Sequence, residues 1–454
     1  MKKIFFSVIF CLMLSSQAFA QTWNIGYPNA ENVTATFSGN TLTISGIGAM
    51  QDFGYYTTPW SNIQHNIVTL IIEEGVTTIG DYAFFYFRGL NCSLSLPESI
   101  TTIGDNAFSG CFGLNGSLNL PEGITTIGYD AFFWCEGFSG LLNIPESLTT
   151  IGHRAFHGCI GLNEMNVNAS NENYSSENGI LYNKNKTTLI LCPGNKTGAI
   201  NISNGVKIIE DGAFFFCENI SSLSIPNSIT SFGASAFANC TGLISVINFA
   251  STPQNISTDA FIGLTLNDII LYVPAGSKEA YQNPTYGWQD FNIIEIPNIS
   301  EDNIIFTPSE NSALIEWQPV ENAEGYRIII YNDEARTNII CTLEFDATGE
   351  LVSVSRARSA MQTASTSISH TINNLPKDTY YYTFEVLGVG NAVLASLSGT
   401  FDTGTTSVAE TQYVASLPKI VGYYSITGTK LPKEPASGIY IILYDNRKAE
   451  KVVK

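Results

Sequence analysis

Between residues 77 and 261 the apolar positions fall into two short recurring themes rather than long runs. The first reads TTIGDYAF (77–84), TTIGDNAF (101–108), TTIGYDAF (125–132) and TTIGHRAF (149–156), at a constant interval of 24 residues. Weaker copies follow as IIEDGAF (208–214), TSFGASAF (230–237) and TDAF (258–261). The second theme lies between them as LSLPESI, LNLPEGI, LNIPESL and LSIPNSI. Here Leu94 and Leu96, Leu118 and Leu120, and Leu223 and Ile225 alternate with Ser or Asn, the period of two of a strand with one wetted face. The Pro that follows ends each strand, because it has no N–H for the next rung. Each unit thus predicts two short β pieces and a turn of helix or 3₁₀ around Ala-Phe. Pieces this short cannot bury their own apolar side, so each unit must lean on its neighbours, and a solenoid of stacked coils is expected.

The pattern changes on either side of the repeats. Residues 1–20, MKKIFFSVIFCLMLSSQAFA, carry two Lys, an apolar run and an Ala-x-Ala site, the signature of a cleaved signal peptide. Beyond Ile304 the repeat vanishes. Trp317 lies on one expected strand, Tyr326, Ile328 and Ile330 share a face of the next, and Tyr382, Phe384 and Val386 alternate further on. About a hundred residues of such strands suggest a seven-stranded sandwich at 302–403. The stretch 335–370 is long and rich in Ser and Thr, which leaves the middle strands unassigned. A polar linker at 404–417 leads to a segment at 418–454 that is too small for an ordinary core of its own.

TTIGDNAFSGCFGLNGSLNLPEGI resembles the BspA-type, or Treponema-type, leucine-rich repeat of bacterial surface proteins, through Ile-Gly-x-x-Ala-Phe-x-x-Cys followed in phase by Leu-x-Ile/Leu-Pro. The segments at 37–80, 177–195 and 271–296 are similar to that family's N-terminal cap, interrupting hairpin and closing segment. The resemblance implies a right-handed leucine-rich-repeat solenoid over 21–298, used for protein–protein contact and often for adhesion. The segment 302–403 is similar to fibronectin type III domains, with Trp317 as core residue and Tyr382 near the expected tyrosine corner. The last segment resembles the C-terminal sorting domain of type IX secretion substrates through Tyr423-Tyr424, Gly428, Gly438-Ile439-Tyr440-Ile441 and the basic end Lys451-Val452-Val453-Lys454. The alternative for 418–454 is a small structural module. The fold expected is mainly β with short helical turns: solenoid, sandwich, then a small C-terminal β module.

Composition narrows the function. Of 454 residues 44 % are hydrophobic and 13 % charged, which argues against disorder as the main state. A formal charge of −19 argues against nucleic acid or an anionic membrane as partner. After residue 20 no apolar run is long enough to span a bilayer. Four His and no Gly-x-Ser-x-Gly, His-Glu-x-x-His, phosphate-loop or dinucleotide fingerprint point away from an enzyme. No catalytic residue, cofactor or metal is assigned. Cys111, Cys135 and Cys159 recur every 24 residues, and Cys217 and Cys240 follow 23 apart, so they form a file on one side of the coil. Buried thiols acting as small hydrophobes are the main expectation, with disulfides between neighbouring rungs not excluded by spacing. His153 and His157 stand four apart near Cys159, a spacing that faintly suggests zinc. Their counterparts Asp81 and Phe85, or Asp105 and Ser109, place them at variable surface positions instead.

Two candidate partner surfaces remain. One is the wetted face of the Leu-x-Leu strands, with Ser93, Ser95, Ser117, Asn119, Asn143, Asn166, Ser222 and Ser224, either a hydrogen-bonding sheet or a plain solvated face. The other is aromatic: Phe85-Tyr86, Phe133-Trp134 and Phe215-Phe216 follow Ala-Phe where other copies have Ser109-Gly110, His157-Gly158 and Ala238-Asn239. These six either share an exposed strip or pack over the gap between coils. The expectation is an exported, non-catalytic surface protein that recognises a protein on host or neighbouring cells, addressed to export machinery by its tail. The alternative is a secreted glycan-binding component.

Overall fold

Thr-Thr-Ile-Gly sets the stacking. In the computed structural model, parallel pairing places Thr78 beside Thr102, Thr102 beside Thr126 and Thr126 beside Thr150, with Ile79, Ile103, Ile127 and Ile151 in the same register. The first Thr of each run donates its hydroxyl to the carbonyl of its counterpart one coil earlier: Thr101 to Thr77, Thr125 to Thr101 and Thr149 to Thr125, at 3.1–3.2 Å. Ile79, Ile103 and Ile127 point into the core and are fully buried. The Gly that follows has no room for a side chain. A Cβ on Gly104 would stand 2.4 Å from the Asp81 carboxylate, and one on Gly152 2.3 Å from the Gly128 carbonyl carbon. That carboxylate caps the neighbouring coil: Asp81 Oδ1 accepts the Asp105 N–H and Asp105 Oδ1 the Tyr129 N–H, both at 2.7 Å.

The structure describes residues 20–296, 299 and, with short interruptions, 304–403, together with strand backbone within 420–453. Apart from Ala20, the expected targeting segment lies outside the described residues, as does the linker at 404–417. The chain divides into two compact units, Met1–Lys196 with Glu210–Cys217, and Thr197–Ile209 with Glu218–Lys454.

In the first unit, Gln21–Asn24, Val33–Ser38, Thr41–Gly46 and Thr69–Ile72 form a four-stranded sheet at the N-terminal end. From there Trp60, Phe84, Phe108, Phe132 and Phe156 stack in a column, with centroids 5.1–6.0 Å apart and ring planes within 19° of parallel. Trp60 closes the column and donates its indole N–H to the Ala83 carbonyl. Beside the column, the Cys111, Cys135 and Cys159 thiols each donate to a Phe carbonyl of the preceding coil, at 3.0–3.2 Å. None of the eight described cysteines is joined in a disulfide. Burial pushes the Cys159 thiol up to about 12 and those of Cys111 and Cys135 upward as well.

The helical turn expected around Ala-Phe is absent; the segment is a chain of tight turns. Tyr82, Asn106, Asp130 and Arg154 hold φ of 51–57°, and four residues later Tyr86, Gly110, Trp134 and Gly158 are left-handed again. Alternate N–H groups therefore point along the stack to the next coil, Tyr82 to Asp105, Phe84 to Ala107 and Tyr86 to Ser109. A helix would have kept those bonds within one coil. The short helices lie elsewhere, at Ala30–Asn32, Ser61–Asn66, Leu266–Asp268 and Lys278–Tyr281.

After the Cys159 coil the repeat is interrupted by an antiparallel arrangement of Tyr174–Glu177, Ile180–Asn183 and Thr188–Leu191. In the second unit five parallel strands, Gly198–Asn201, Ile220–Ile225, Ser245–Asn248, Ile270–Val273 and Asn292–Glu295, continue the leucine-rich pattern. Phe237 stacks on Phe261, and fully buried Trp288 closes this column edge-on. The same unit holds a sandwich of a three-stranded and a five-stranded antiparallel sheet between 304 and 402, eight strands where seven were expected. Trp317 is buried in its core against Tyr326, Phe345 and Phe384. The Tyr326 hydroxyl ties down a loop near the start of the sandwich by accepting the Val320 N–H at 2.8 Å. Ile420–Ser425, Lys430–Leu431, Ile439–Tyr444 and Ala449–Val453 form a four-stranded antiparallel sheet.

Two glycines separate crowding from an unused position. Gly128→Ala sets a methyl 2.5 Å from the Asp105 carboxylate and 2.6 Å from backbone; a loss of about 1–3 kcal/mol is expected, read as a lower urea midpoint. At Gly123 the nearest atom stands 3.7 Å from a Cβ. Its counterparts Ser99, Ser147 and Ser228 donate to the Val76, Ile124 and Val206 carbonyls at 2.6–2.7 Å. Gly123→Ser should supply that bond and raise the stability by about 0.5–1 kcal/mol, read as a higher urea midpoint.

Candidate binding surfaces

The polar strand face is open in the first unit. Ser95, Asn119 and Asn143 are exposed, as are Ser93, Ser117 and Asn166. Amides pair along the stack, Asn166 to Asn143 and Asn115 to Asn91, each at 3.2 Å. In the second unit the expectation fails: Ser222 and Ser224 are buried. The sandwich lies on that face. Ser245 donates its hydroxyl to the Val389 carbonyl at 2.7 Å, the Val389 N–H donates to the Tyr272 hydroxyl at 3.1 Å, and Leu394 packs with Ile247 and Tyr272. Sequence periodicity finds the polar face but not the residues, 144 positions away, that cover it.

The six aromatic residues fall into two groups, and none is fully exposed. A Cβ on Gly110 would stand 2.8 Å from the Tyr86 ring, and one on Gly158 2.9 Å from the Trp134 ring. Each ring thus lies flat over a glycine of the next coil, which is why aromatic residue and glycine alternate at this position. Phe133, Trp134, Phe215 and Phe216 form one half-buried cluster, with Trp134 4.8 Å from Phe216 and 5.8 Å from Phe215. Phe85 and Tyr86 belong to another, where Phe85 is buried beneath Tyr55 and Tyr56 at 4.8 and 5.6 Å. Tyr82 joins Phe85, and exposed Arg88 lies over the Tyr86 and Phe112 rings at 5.2 and 5.5 Å. Tyr55 is 62 % exposed and Tyr56 44 %. The repeat pattern misses these two because they sit in the non-repeating loop DFGYYTTPW; the Tyr-Tyr pair beside Gly54 is the signal available for them.

His153 and His157 lie at a cleft of about 320 Å³ beside the interrupting hairpin, whose walls include Arg154, Tyr174, Glu210 and Asp211. Arg154 donates to both oxygens of buried Asp130, which holds its guanidinium above the usual range. His153 stands 3.6 Å from Asp211. Burial, followed by the neighbouring His153 and Arg154, depresses His157 to about 3, so it is neutral at physiological pH. The Cys159 thiol faces the core and not these imidazoles. Among the described residues no three His, Cys, Asp or Glu side chains converge on a metal position.

The sequence profile of the BspA type leucine rich repeat region matches residues 61–191 and 192–296, in six copies. Among solved structures the chain is similar to a leucine-rich repeat protein from Eubacterium ventriosum, at 24 % identity and a TM-score of 0.43, over 56 % of this chain and 78 % of that one. A leucine rich cell surface protein from Faecalibacterium prausnitzii matches at 20 % identity and 0.36, over 60 % and 94 %. The pneumococcal vaccine antigen PcpA matches at 16 % and 0.34, over 58 % and 97 %. No curated protein matches the chain.

The depressed His157 has a pH consequence. Between its ordinary 6.5 and about 3, the unfolded chain takes up a proton there that the folded chain refuses. Its contribution to stability is complete above pH 6.5 and shrinks as pH falls, by up to about 1.4 kcal/mol per unit. Urea midpoints at pH 7.5 and 5 should show this loss. His157→Gln should remove its share of the slope, and an unchanged slope would mean that the imidazole is not held neutral.

Proposed function

Because the chain belongs to the BspA-type leucine-rich-repeat family, we propose that it is an exported cell-surface protein that recognises a protein partner on host or neighbouring cells without catalysing a reaction. The observation that carries this reading is the tyrosine platform of Tyr55, Tyr56, Tyr82 and Tyr86 with Arg88. Tyr and Arg dominate binding energy at interfaces, because they bring large contact area at low entropic cost. Here they rest on a stack whose coils hold them in place before a partner arrives, which lowers the ordering cost of binding. Exposed Ser95, Asn119 and Asn143 supply a polar surface that suits a rim of hydrogen bonds. A fibronectin-like sandwich as spacer and a type IX address at 418–454 complete the reading. Support for the address comes from the residues of the tail and for export from the leader-like first twenty.

Tyr55→Ala with Tyr56→Ala removes the two exposed rings and leaves the Phe column intact. Binding of the labelled protein to intact epithelial or neighbouring bacterial cells should drop at least about tenfold while the protein keeps a cooperative urea transition. Protease treatment of the cells should abolish wild-type binding and glycosidase treatment should spare it; the reverse result would favour the glycan alternative. Export has its own readout, the intact mass and cell fraction of the protein from its host. A surface-exposed chain that begins at Gln21 and ends between Thr403 and Pro418 is expected. A periplasmic chain running from Gln21 to Lys454 would remove the sorting reading.

A further inference from the structure

The turn ladder of the first unit has an unfilled rung. In three successive coils the N–H groups at two equivalent positions donate to carbonyls of the next coil: Tyr82 to Asp105 and Phe84 to Ala107, Asn106 to Tyr129 and Phe108 to Ala131, Asp130 to His153 and Phe132 to Ala155, all at 2.7–3.1 Å. At the fourth coil the donors are Arg154 and Phe156. The residues due to supply the next coil are diverted into the hairpin Tyr174–Glu177 and Ile180–Asn183, and among the described residues no acceptor meets these two N–H groups. Both residues line the 320 Å³ cleft, with Leu181, Ile190 and Leu191 as its apolar part. The adjoining strand edge is closed, since the Tyr174 hydroxyl accepts the Ile151 N–H at 2.8 Å.

We propose that this cleft binds a basic peptide segment of a partner protein, which enters as the missing rung in a turn conformation and offers carbonyls two residues apart, on either side of a left-handed residue, to the Arg154 and Phe156 N–H groups. The chain itself shows the occupant that fits, because in the three preceding coils the same positions are filled by backbone carbonyls two residues apart. Capture of a chain segment by unpaired backbone groups is a general mode of peptide recognition. The volume lies at the lower end of the range for ligand sites. Charge selects the side chains: Arg154 is occupied by Asp130, while exposed Glu210 leaves the rim acidic. An acidic chain of net −19 attracts a basic segment from a distance. The site is separate from the tyrosine platform and does not depend on it.

Residue-resolved amide exchange on the protein from Gln21 onward tests both halves. In the free protein, Arg154 and Phe156 amides should exchange at least tenfold faster than the Asp130 and Phe132 amides one coil earlier. A saturating blocked hexapeptide alternating Lys and Gly, which allows the left-handed residue between the carbonyls, should slow Arg154 and Phe156 at least tenfold and leave Asp130 and Phe132 unchanged. Spermine, which has the charge without the carbonyls, should not. Glu210→Lys, at an exposed position, should weaken the Lys-Gly peptide at least tenfold and favour the Glu-Gly counterpart. Equal exchange of the two coils in the free protein, no protection by the hexapeptide, or equal protection by spermine would each overturn the proposal. Tyr55→Ala with Tyr56→Ala should bind the hexapeptide normally, so failure of the platform and failure of the cleft give different results.

Discussion

Every regular coil must lie one strand spacing, roughly 5 Å, from an almost identical coil. Most of the structure follows from that single distance, because each side chain then has its own counterpart as nearest neighbour. Phe108 and Phe132 stack with planes 1° apart because the repeat returns the same ring to the same place. Hydroxyls at Thr101, Thr125 and Thr149 form a file for the same reason. Self-stacking also restricts composition. A column of like charges would repel, so Asp81 and Asp105 each turn an oxygen to a backbone N–H of the next coil. Column positions closest to the backbone exclude any side chain, which leaves Gly104, Gly128 and Gly152.

Much of this was legible in the sequence, because a fixed interval of 24 specifies register without knowledge of any contact. The solenoid, the buried file of cysteines and the wetted strand face all follow from phase alone. The helical turn around Ala-Phe did not follow. Period and propensity describe one coil at a time, whereas the left-handed residues at Tyr82, Asn106, Asp130 and Arg154 exist to direct N–H groups to the next coil. The alternation of Tyr86, Gly110, Trp134 and Gly158 was visible in the letters. Its meaning needed the geometry, since a ring that lies over its neighbour requires that neighbour to be glycine. Ser222 and Ser224 carry the signal of a wet strand face, and only the fold brings Val389 and Leu394 onto it.

The same reasoning locates the places where another molecule has something to gain. Inside a regular column each group is satisfied by its counterpart, and a partner meets closed hydrogen bonds and buried rings. Satisfaction lapses where repetition does. At the N-terminal end, the loop before Trp60 is not a repeat, and Tyr55 and Tyr56 stand out on Phe85 with no coil beyond to cover them. At the interruption, the hairpin takes over the strand edge through Tyr174 but leaves the turn ladder without its next member. In the second unit the chain supplies its own cover, and backbone at Val389 meets the hydroxyls of Ser245 and Tyr272. That internal contact is a chemical precedent for recognition by such a face: short hydroxyl side chains on parallel strands bond the exposed backbone of an arriving β-structure. In a repeat protein of this kind, sequence variation within a column tunes packing, whereas a break in the column creates unpaired groups. Binding residues are therefore to be sought among the residues that break the period rather than among those that keep it.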